Sequence, residues 1–551
     1  MRSNDTPRRW AVLAVMCASL FLVGIDLTVL NVALPSLTEE LMPGATEVLW
    51  IVDVYSLTVA ALLVTCGTLG DRLGRKRMVL AGFAVFGVAS AAAAASATTA
   101  QLIGARVLLG VGAAMIMAST VAIIRTTFSD DRERAIALGV WTAAHSAGAT
   151  VGPVLGGALV ERWWWGAVFL VNVPLVALAL IAGARLIPES RDPAPRRWNP
   201  ADAALSIAGL GLAVYAGKQV GDHPSAGTAL AGAAGVALLV FFVVRQRRAA
   251  HPLLDLSLFA DRRFTAAIIC VLACFGCYTS LLFFLTQRFQ LVDGLTPLQA
   301  GLTLAPLAAA NAVGAAGAPW LAARWGRRSA VAASLVVFGG ALAVLAAAPG
   351  GAAVFAALVV AGAAAGVVMT LGADLVMSAA RQERAGEAAA VQETSFELGA
   401  GLGVAVLGTV LTVVYRAALP AAPAGARESL GAAAELAASL APAQADELLR
   451  AAHEAFRSGL SATLAGAAAL LWLTALVAVV LLRDPGEPEA ADTGRRLSRS
   501  RPVVTSHRMS SGRTTRECLE EQRGSWPSWA ERDHGSTPRR SATPPPDEGP
   551  G

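Results

Sequence analysis

Four carboxyl groups lie within long apolar stretches of this sequence, where a charged side chain is costly. They are Asp26, Asp53, Asp374 and Glu397. Removal from water favours the neutral form of a carboxyl group, so a buried acid can take up and release a proton near neutral pH. We expect these four acids to exchange protons or to bind a ligand. The alternative is that each is satisfied by an ion pair or by hydrogen bonds to neighbouring helices.

One arginine, Arg106, also lies in the middle of an apolar stretch, within Gly104-Ala-Arg-Val-Leu-Leu-Gly-Val-Gly112. A buried guanidinium group needs a carboxylate or a backbone carbonyl as its partner. Arg106 could therefore hold one of the acids ionised until a proton or a ligand releases it, or it could be a structural clamp. His145 falls in an apolar stretch too, and packing is favoured there over a proton relay.

The elements that must position these groups are apolar stretches of about 20 residues, each long enough for a helix to cross a bilayer. The chain has 551 residues, of which 55% are apolar and 15% are charged. This pattern predicts an all-α membrane protein with fourteen spans. The predicted spans are 10–32, 48–69, 78–97, 101–124, 135–159, 166–187, 201–219, 228–246, 264–287, 298–322, 329–348, 352–378, 387–415 and 459–482.

Arginine and lysine cluster in alternate loops, for example at 72–77, 125–134 and 245–263, whereas the other loops hold few. Because basic loops stay in the cytoplasm, both termini are predicted to be cytoplasmic in a multi-pass inner or plasma membrane protein. We expect no cleavable signal peptide, since the first apolar stretch is too long. The net charge of +5 comes from these loops and the C-terminal tail, so nucleic-acid binding is not expected.

Fourteen spans predict two six-helix bundles separated by a two-helix insert. The predicted units are bundle 1–190, insert with its linkers 191–260, bundle 261–483 and a disordered cytoplasmic tail 484–551. Within the second bundle, 416–457 is expected to form an outer hairpin of two helical stretches, 426–440 and 443–457. It could lie over the outer mouth or be a solvated spacer.

A glycine-rich basic loop, Gly67-Thr-Leu-Gly-Asp-Arg-Leu-Gly-Arg-Lys-Arg77, joins the second and third predicted spans. Its glycines allow a sharp turn and its acid can cap a helix. The residues expected to matter are Gly67, Gly70, Asp71, Arg72, Gly74 and Arg75. A degenerate copy, Ala322-Ala-Arg-Trp-Gly-Arg-Arg328, carries Ala323 where the first copy has its acid. Two related loops predict a duplicated architecture.

Two further patterns concern helix packing. The segment Gly148-Ala-Thr-Val-Gly-Pro-Val-Leu-Gly-Gly157 has small residues at helical spacing around a proline, which predicts close packing and a kink. Its candidate residues are Gly148, Gly152, Pro153, Gly156 and Gly157. Three cysteines, Cys270, Cys274 and Cys277, share one helical face; packing is favoured there over a metal or redox site, and no metal is expected.

These motifs resemble those of the major facilitator superfamily. The Gly67 loop is similar to the signature after its second span, and Gly152 to Gly157 is similar to its antiporter motif. Asp26 to Pro35 and Arg106 to Gly112 resemble signatures of the fourteen-span drug:proton antiporters of the EmrB/QacA type. Trp50 to Ser56 and Glu393 to Gly403 look most like quaternary-ammonium exporters. The resemblance implies the major facilitator fold, the outer hairpin, and proton-coupling or cation-sensing roles for Asp26, Asp53 and Glu397.

The expected function is therefore export of lipophilic or quaternary-ammonium cations and other amphipathic drugs in exchange for protons. Expected partners are a small-molecule drug or metabolite, protons and the lipid bilayer, and the chain is expected to be a monomer. The proton gradient would supply energy without a cofactor. A rival is export of an endogenous antibiotic or another anionic or neutral metabolite, with Arg106 and Lys218 as ligands. No nucleotide loop and no nucleophile with its base is visible, so an enzyme is not expected.

Overall fold

A computed structural model describes residues 6–128, 130–191, 199–222, 225–249, 256–347, 351–379, 385–419, 422–423 and 425–482, and every regular element in these ranges is helical. The helices are α1 Thr6–Leu41, α2 Ala45–Leu73, α3 Arg75–Ala94, α4 Thr99–Thr127, α5 Asp131–Arg162, α6 Ala167–Leu170, α7 Asn172–Leu186, α8 Pro200–Asp222, α9 Ala226–Arg248, α10 Arg262–Gln287, α11 Pro297–Trp325, α12 Arg327–Ala347, α13 Ala352–Ala379, α14 Ala385–Ala418, α15 Leu430–Ala438 and α16 Pro442–Leu481. The predicted tail, 484–551, lies outside the described residues.

Local sequence explains where several helices begin. Thr98, Ser225 and Thr296 each accept a hydrogen bond from a backbone N–H in the first turn of α4, α9 and α11 respectively. Such caps satisfy donors that have no partner inside the helix. Pro297 occupies the first position of α11, where its missing N–H costs nothing.

All fourteen predicted spans fall on helices of the structure. Twelve helices in the described residues are long and apolar enough to cross a membrane. The 32-residue α5 is not one of them, and the apolar part of α8, Pro200–Ala216, is shorter than the other spans. The chain is thus a multi-pass membrane protein, while the count of fourteen is not confirmed and stays a prediction.

Successive helices run in opposite directions between two faces of the bundle. At the near face, where α1 begins, Arg9 pairs with Glu133 at 3.0 Å and the Arg75 N–H donates to Ser190. At the far face, where α1 ends, the Trp165 indole donates to Glu40 at 2.7 Å. These two names, near face and far face, are used below.

The small-residue segment of α5 packs α5 against two different helices. A Cβ atom added at Gly148 or Gly152 would collide with Phe21 or Thr28 of α1. On another side of α5, a Cβ at Gly157 would lie 2.6 Å from the Cα of Leu298 in α11. The absence of side chains therefore lets α5 touch both helices through their backbones, as the sequence predicted. Pro153 lies inside α5, which continues through it.

A second seam joins α2 to α14, and it too lies in the far half of the bundle. A Cβ at Gly401 would meet Leu57 at 2.9 Å, and one at Gly408 would meet Leu49 at 2.8 Å. Polar contacts reinforce the far half, since Thr296 donates to Glu161 at 3.2 Å. The first six long helices and the last six are therefore in contact through their far halves.

The helices of the predicted insert, α8 and α9, pack on one another, and α8 also packs on α2 and α14. The rings of Tyr215 and Trp50 lie 6.5 Å apart between α8 and α2. Arg245 pairs with Asp202 across the insert. The insert thus lies against the α2–α14 seam; its linkers at 192–198 and 250–255 are outside the described residues.

The segment predicted as a hairpin contains α15 and the start of α16. The second predicted stretch, 443–457, is not a separate helix, because α16 runs unbroken for 40 residues from Pro442 to Leu481. Ser429 caps α15, and the Tyr415 hydroxyl donates to the Ala426 carbonyl at 3.0 Å. A Cβ at Gly431 would lie 3.0 Å from Thr38, so α15 rests against the far end of α1.

Replacing Gly157 with alanine should disrupt the α5–α11 seam, because the new methyl group would overlap the backbone of Pro297 and Leu298. Overpacking of this kind costs about 1–3 kcal/mol. We expect a lower melting temperature in detergent and impaired transport by Gly157→Ala. Gly139→Ala on the same helix is the control, since nothing lies within 4 Å of its added Cβ. Equal behaviour of the two variants would contradict the seam.

Candidate functional site

A buried ion pair joins Asp26 of α1 to Arg106 of α4. The Arg106 Nη1 donates to Asp26 Oδ2 at 2.8 Å, and the two side chains are 2% and 0% exposed. Two charges removed from water are stabilised only when they are paired and their remaining hydrogen-bonding capacity is used. The structure therefore brings together two residues that the sequence singled out 80 positions apart.

The rest of the guanidinium group is held by α2. Its Nε donates to the Ile51 carbonyl at 3.1 Å and its Nη2 to the Val52 carbonyl at 3.4 Å. Its central carbon also lies 4.6 Å from the centre of the Tyr55 ring, which is a cation–π arrangement. Arg106 thus has a fixed position even when its carboxylate partner changes protonation state.

Asp26 is also bound from the opposite side. The Asn172 amide of α7 donates to Asp26 Oδ1 at 3.2 Å and contacts the Ser90 hydroxyl of α3 at 3.4 Å. Asn172 and Ser90 are fully buried. Five helices, α1, α2, α3, α4 and α7, therefore contribute to one polar cluster in an apolar bundle.

A second acid, Glu397 of α14, approaches this cluster from the other half of the molecule. Its side chain is 2% exposed, interacts with Ser56 of α2, and lies close enough to Arg106 to interact electrostatically. Its Oε2 has no hydrogen-bond partner among the described residues. Tyr55 interacts with the charges of both Asp26 and Glu397, so it lies near both acids.

Two further acids lie beside Glu397. Asp53 of α2 is 1% exposed, and its backbone carbonyl faces Gly401 of α14. Glu393 lies one helical turn before Glu397, close enough for their charges to interact. The α2–α14 seam therefore holds two buried carboxyl groups, those of Asp53 and Glu397, and the partly buried one of Glu393.

Asp374 is not part of this group. It lies near the end of α13 at the near face and pairs with Arg327 at 2.9 Å, where both side chains are about half exposed. An exposed pair of this kind is solvated and contributes little to stability. Its geometry fits the satisfied acid that the sequence left as the alternative.

The Gly67 loop differs in detail from the sequence expectation. Gly67 and Gly70 lie inside α2, so the expected turn is formed by Gly74 alone, at φ 111° and ψ 130°. Asp71 does not cap α3; it accepts hydrogen bonds from Arg75, the shorter at 2.8 Å. Arg72 lies in the last turn of α2.

The degenerate second copy has the same backbone turn. Gly326 also has positive φ, 80°, and Arg327 opens α12 as Arg75 opens α3. Because Ala323 replaces the acid, Arg327 takes Asp374 of α13 as its partner instead. The two loops therefore share a turn geometry, and in the second loop the acid is supplied by a different helix. The duplicated architecture stays a prediction.

Two other candidates have packing environments. His145 of α5 contacts the backbone of Leu20 in α1 and lies away from the acids of the α2–α14 seam. The thiols of Cys274 and Cys277 approach the carbonyl oxygens of Ala365 and Ala467 at 3.8 and 3.9 Å. In the described part of the chain, no cluster of three metal-ligating groups is present.

Four residues of the cluster were not assigned a role from sequence: Ser56, Tyr55, Ser90 and Asn172. Each is a polar side chain within an apolar stretch, and this is the signal by which the sequence could have identified it. Together the site can hold one positive charge on Arg106, exchange protons at several acids, and present Glu397 to a positively charged ligand at the junction of the two halves.

Long apolar helices arranged in two contacting halves are the architecture of a membrane transporter. The Major Facilitator Superfamily model matches residues 16–404, and the chain belongs to this family. A bacterial homologue of the human lysosomal transporter Spinster has a similar fold, with a TM-score of 0.61 at 17% identity over 87% of this chain and 99% of that one.

Curated relatives match over nearly their whole length. The multidrug efflux pump LfrA of Mycolicibacterium smegmatis is 42% identical over 494 residues, covering 87% of this chain and 98% of the relative. The methyl viologen resistance protein SmvA of Salmonella typhimurium is 36% identical over 486 residues, covering 85% and 97%. The family resemblance expected from the motifs is thereby confirmed.

The ion pair can be tested by a double-mutant cycle. Arg106→Gln should lower the free energy of unfolding in detergent by about 3–5 kcal/mol, because it leaves a buried carboxylate without its cation. Asp26→Asn should also destabilise. The double variant should lose less than the sum, since neither charge is then left alone. Additive losses would show that the two side chains do not interact.

Two of the three glycines of the loop motif give a matched comparison. Gly74→Ala should reduce stability and transport, because a side chain at φ 111° is strained by about 1–3 kcal/mol and would meet Glu189. Gly67→Ala should be neutral or slightly stabilising, since nothing lies near its added Cβ. Thermal melts and dye-efflux assays of both variants measure these effects on stability and transport. Wild-type stability and transport in Gly74→Ala would refute the assigned turn.

Proposed function

We propose that this chain is a proton-coupled multidrug efflux antiporter that exports lipophilic and quaternary-ammonium cations and other amphipathic drugs by alternating access. The observation that carries the proposal is the buried Asp26–Arg106 pair, with a Glu397 oxygen nearby that has no hydrogen-bond partner among the described residues. The names of its relatives support drug efflux, since LfrA is called a multidrug efflux pump and SmvA a methyl viologen resistance protein.

Coupling requires that the proton and the drug favour opposite states of the same acids. When Asp26 takes up a proton, its attraction for Arg106 falls, while the carbonyls of Ile51 and Val52 still hold the guanidinium group. The freed positive charge then acts on its surroundings, including the Glu397 carboxyl group. Repulsion of a bound cation by Arg106 is the step that joins protonation to release.

Energy would come from the proton gradient. Exchange of one proton for a monovalent cation is electroneutral and uses only the pH difference, about 1.4 kcal/mol per pH unit. A second proton also draws on the membrane potential, about 2.3 kcal/mol per charge per 100 mV. Asp26 and Glu397 are two acids in different helices, so the site has the groups for two-proton exchange.

Alternating access follows from the positions of the two seams. The α5–α11 and α2–α14 contacts close the far half. We assign the near face to the cytoplasm, because the basic Arg75 and Lys76 lie there, and we keep fourteen spans and a monomeric chain as part of this proposal. Opening the far half would require the glycine-lined seams to separate.

Export of an anionic metabolite has weaker support. Such a substrate would need a free cation in the site, but Arg106 is held by Asp26, by two backbone carbonyls and by the Tyr55 ring. The side chain of Lys218, the other candidate ligand, lies outside the described residues.

Proton release on drug binding tests the proposal. Propidium, a dicationic dye, is added to detergent-held protein in weak buffer, and the pH change is recorded. Wild type should release protons and Asp26→Asn should release fewer. Asp374→Asn is the control and should behave as wild type, because its partner Arg327 lies at the near face. Dye binding without any proton release from wild type would refute proton coupling, and absence of dye binding would refute a cation substrate.

A further inference from the structure

A cavity lies at the far face, away from the buried acids. It has a volume of about 390 Å³ and lies between α1, α2, α10 and α14 under α15. Leu34 and Gly408 line it; they follow Asp26 by eight residues and Glu397 by eleven. At 1.5 Å per residue these separations are roughly 12 and 16 Å along the helices. We call this space the far vestibule.

The walls of the far vestibule are apolar and aromatic. Phe283, Phe284 and Phe456 line it together with Tyr415, and Leu49 and Leu411 lie between them. Aromatic faces attract cations that are only weakly hydrated, and a volume of this size is typical of small-molecule sites. The vestibule is therefore shaped for an organic ligand with an apolar body.

Three acidic residues also line the vestibule, one from α1 and two from the segment that contains α15. Glu39 belongs to α1, Glu428 precedes α15 and Glu435 lies within α15. No lysine, arginine or histidine is among the described residues that line the cavity. The three acids are exposed, so they face water at the rim of the cavity.

The spacing of these acids selects the kind of cation. In the described part of the chain, no three acidic, histidine or cysteine side chains are arranged to hold a metal ion. Spread carboxylates over an aromatic wall instead suit a delocalised or alkylated organic cation, which needs a diffuse negative field and apolar contact. The acidic residues and the aromatic wall therefore both favour a lipophilic organic cation as the ligand.

The roof of the vestibule is held in place by specific contacts. The Tyr415 hydroxyl binds the Ala426 carbonyl at 3.0 Å, and Ser429 accepts the Ala432 N–H at 3.1 Å. Below it, the Gln290 amide of the segment after α10 donates to the Val32 carbonyl of α1 at 3.0 Å. The vestibule is therefore a formed cavity at the far side of the α1–α10 contact.

We propose that the far vestibule is a distinct binding site for lipophilic organic cations, in which Glu39, Glu428 and Glu435 supply the charge and the aromatic wall supplies the apolar contact. Its ligand class rests on the proposed function, and it places a second cation site on the path between the buried acids and the far face. A cation leaving Asp26 and Glu397 would be held there before it reaches bulk solvent.

Protection of an introduced thiol tests the site. Thr412, which lines the vestibule, is replaced in Thr412→Cys, and the full-length protein in detergent is treated with a water-soluble maleimide. Peptide mass spectrometry follows modification at position 412 alone. Tetraphenylphosphonium should slow this modification, whereas neutral triphenylphosphine oxide should protect less. Asp446→Cys, outside the vestibule, should react at the same rate with and without either compound.

Replacing the three acidic residues of the vestibule tests whether they bind the cation. Combining Thr412→Cys with E39Q, E428Q and E435Q should raise the half-protecting concentration of tetraphenylphosphonium by about fivefold to tenfold, as expected for three exposed charges. The matched control removes three exposed acids of α16 that do not line the cavity, by D446N, E447Q and E454Q. This control should leave the half-protecting concentration unchanged. No protection, or protection insensitive to the first set, would overturn the proposal.

The same measurement separates this inference from the proposed function. Protection should persist in Asp26→Asn, because Asp26 does not line the vestibule. Protection without proton release in wild type would leave the far vestibule standing and refute coupling. Proton release without protection would leave coupling standing and refute the vestibule.

Discussion

The structure depends on the cost of placing a guanidinium group inside an apolar bundle. Arg106 is 1% exposed, and water cannot solvate it there. An isolated buried charge costs many kcal/mol, so α1 must supply Asp26, α2 must turn two carbonyls toward it, and α7 must satisfy the remaining carboxylate oxygen. This single requirement fixes how the first helices are arranged around one another.

Glycine provides the second constraint, because the two halves must meet closely and still be able to separate. At Gly157 the helices touch through backbone atoms, and at Gly408 the Leu49 side chain of α2 packs directly on the glycine of α14. Contacts of this kind give good dispersion energy when closed, and they contain few side chains that must be reorganised on opening. The near-face turns at Gly74 and Gly326 differ in that they contain positive φ, so each holds a fixed junction between two helices. Flexible seams and rigid turns therefore use the same residue for different physical reasons.

The acids are distributed according to what surrounds them. Asp26 is paired with Arg106, and Asp374 is paired with the half-exposed Arg327. Glu397 lies beside the Ser56 hydroxyl, and its second oxygen has no hydrogen-bond partner in the part of the chain that the structure describes. The far vestibule adds carboxylates that face water over an aromatic wall. In the proposed mechanism, a cation would meet the buried acids Asp26 and Glu397 first and the exposed acids of the far rim afterwards.

The sequence by itself determined the helical class, the positions of the apolar helices, the family, and the short list of buried ionisable residues. Ionisable residues are rare within long apolar stretches, so they can be recognised from the sequence alone. It could not determine which residues meet. These helices are apolar on all sides, since lipid and neighbouring helices are equally apolar, so periodicity does not reveal the face of α1 that turns toward α4. Only the tertiary structure placed Asp26 against Arg106, brought Asn172 to Asp26, paired Asp374 with Arg327, and formed the turn at Gly74 alone. The far vestibule was likewise invisible in sequence, because its carboxylates come from segments almost 400 residues apart that meet only when α15 packs on α1.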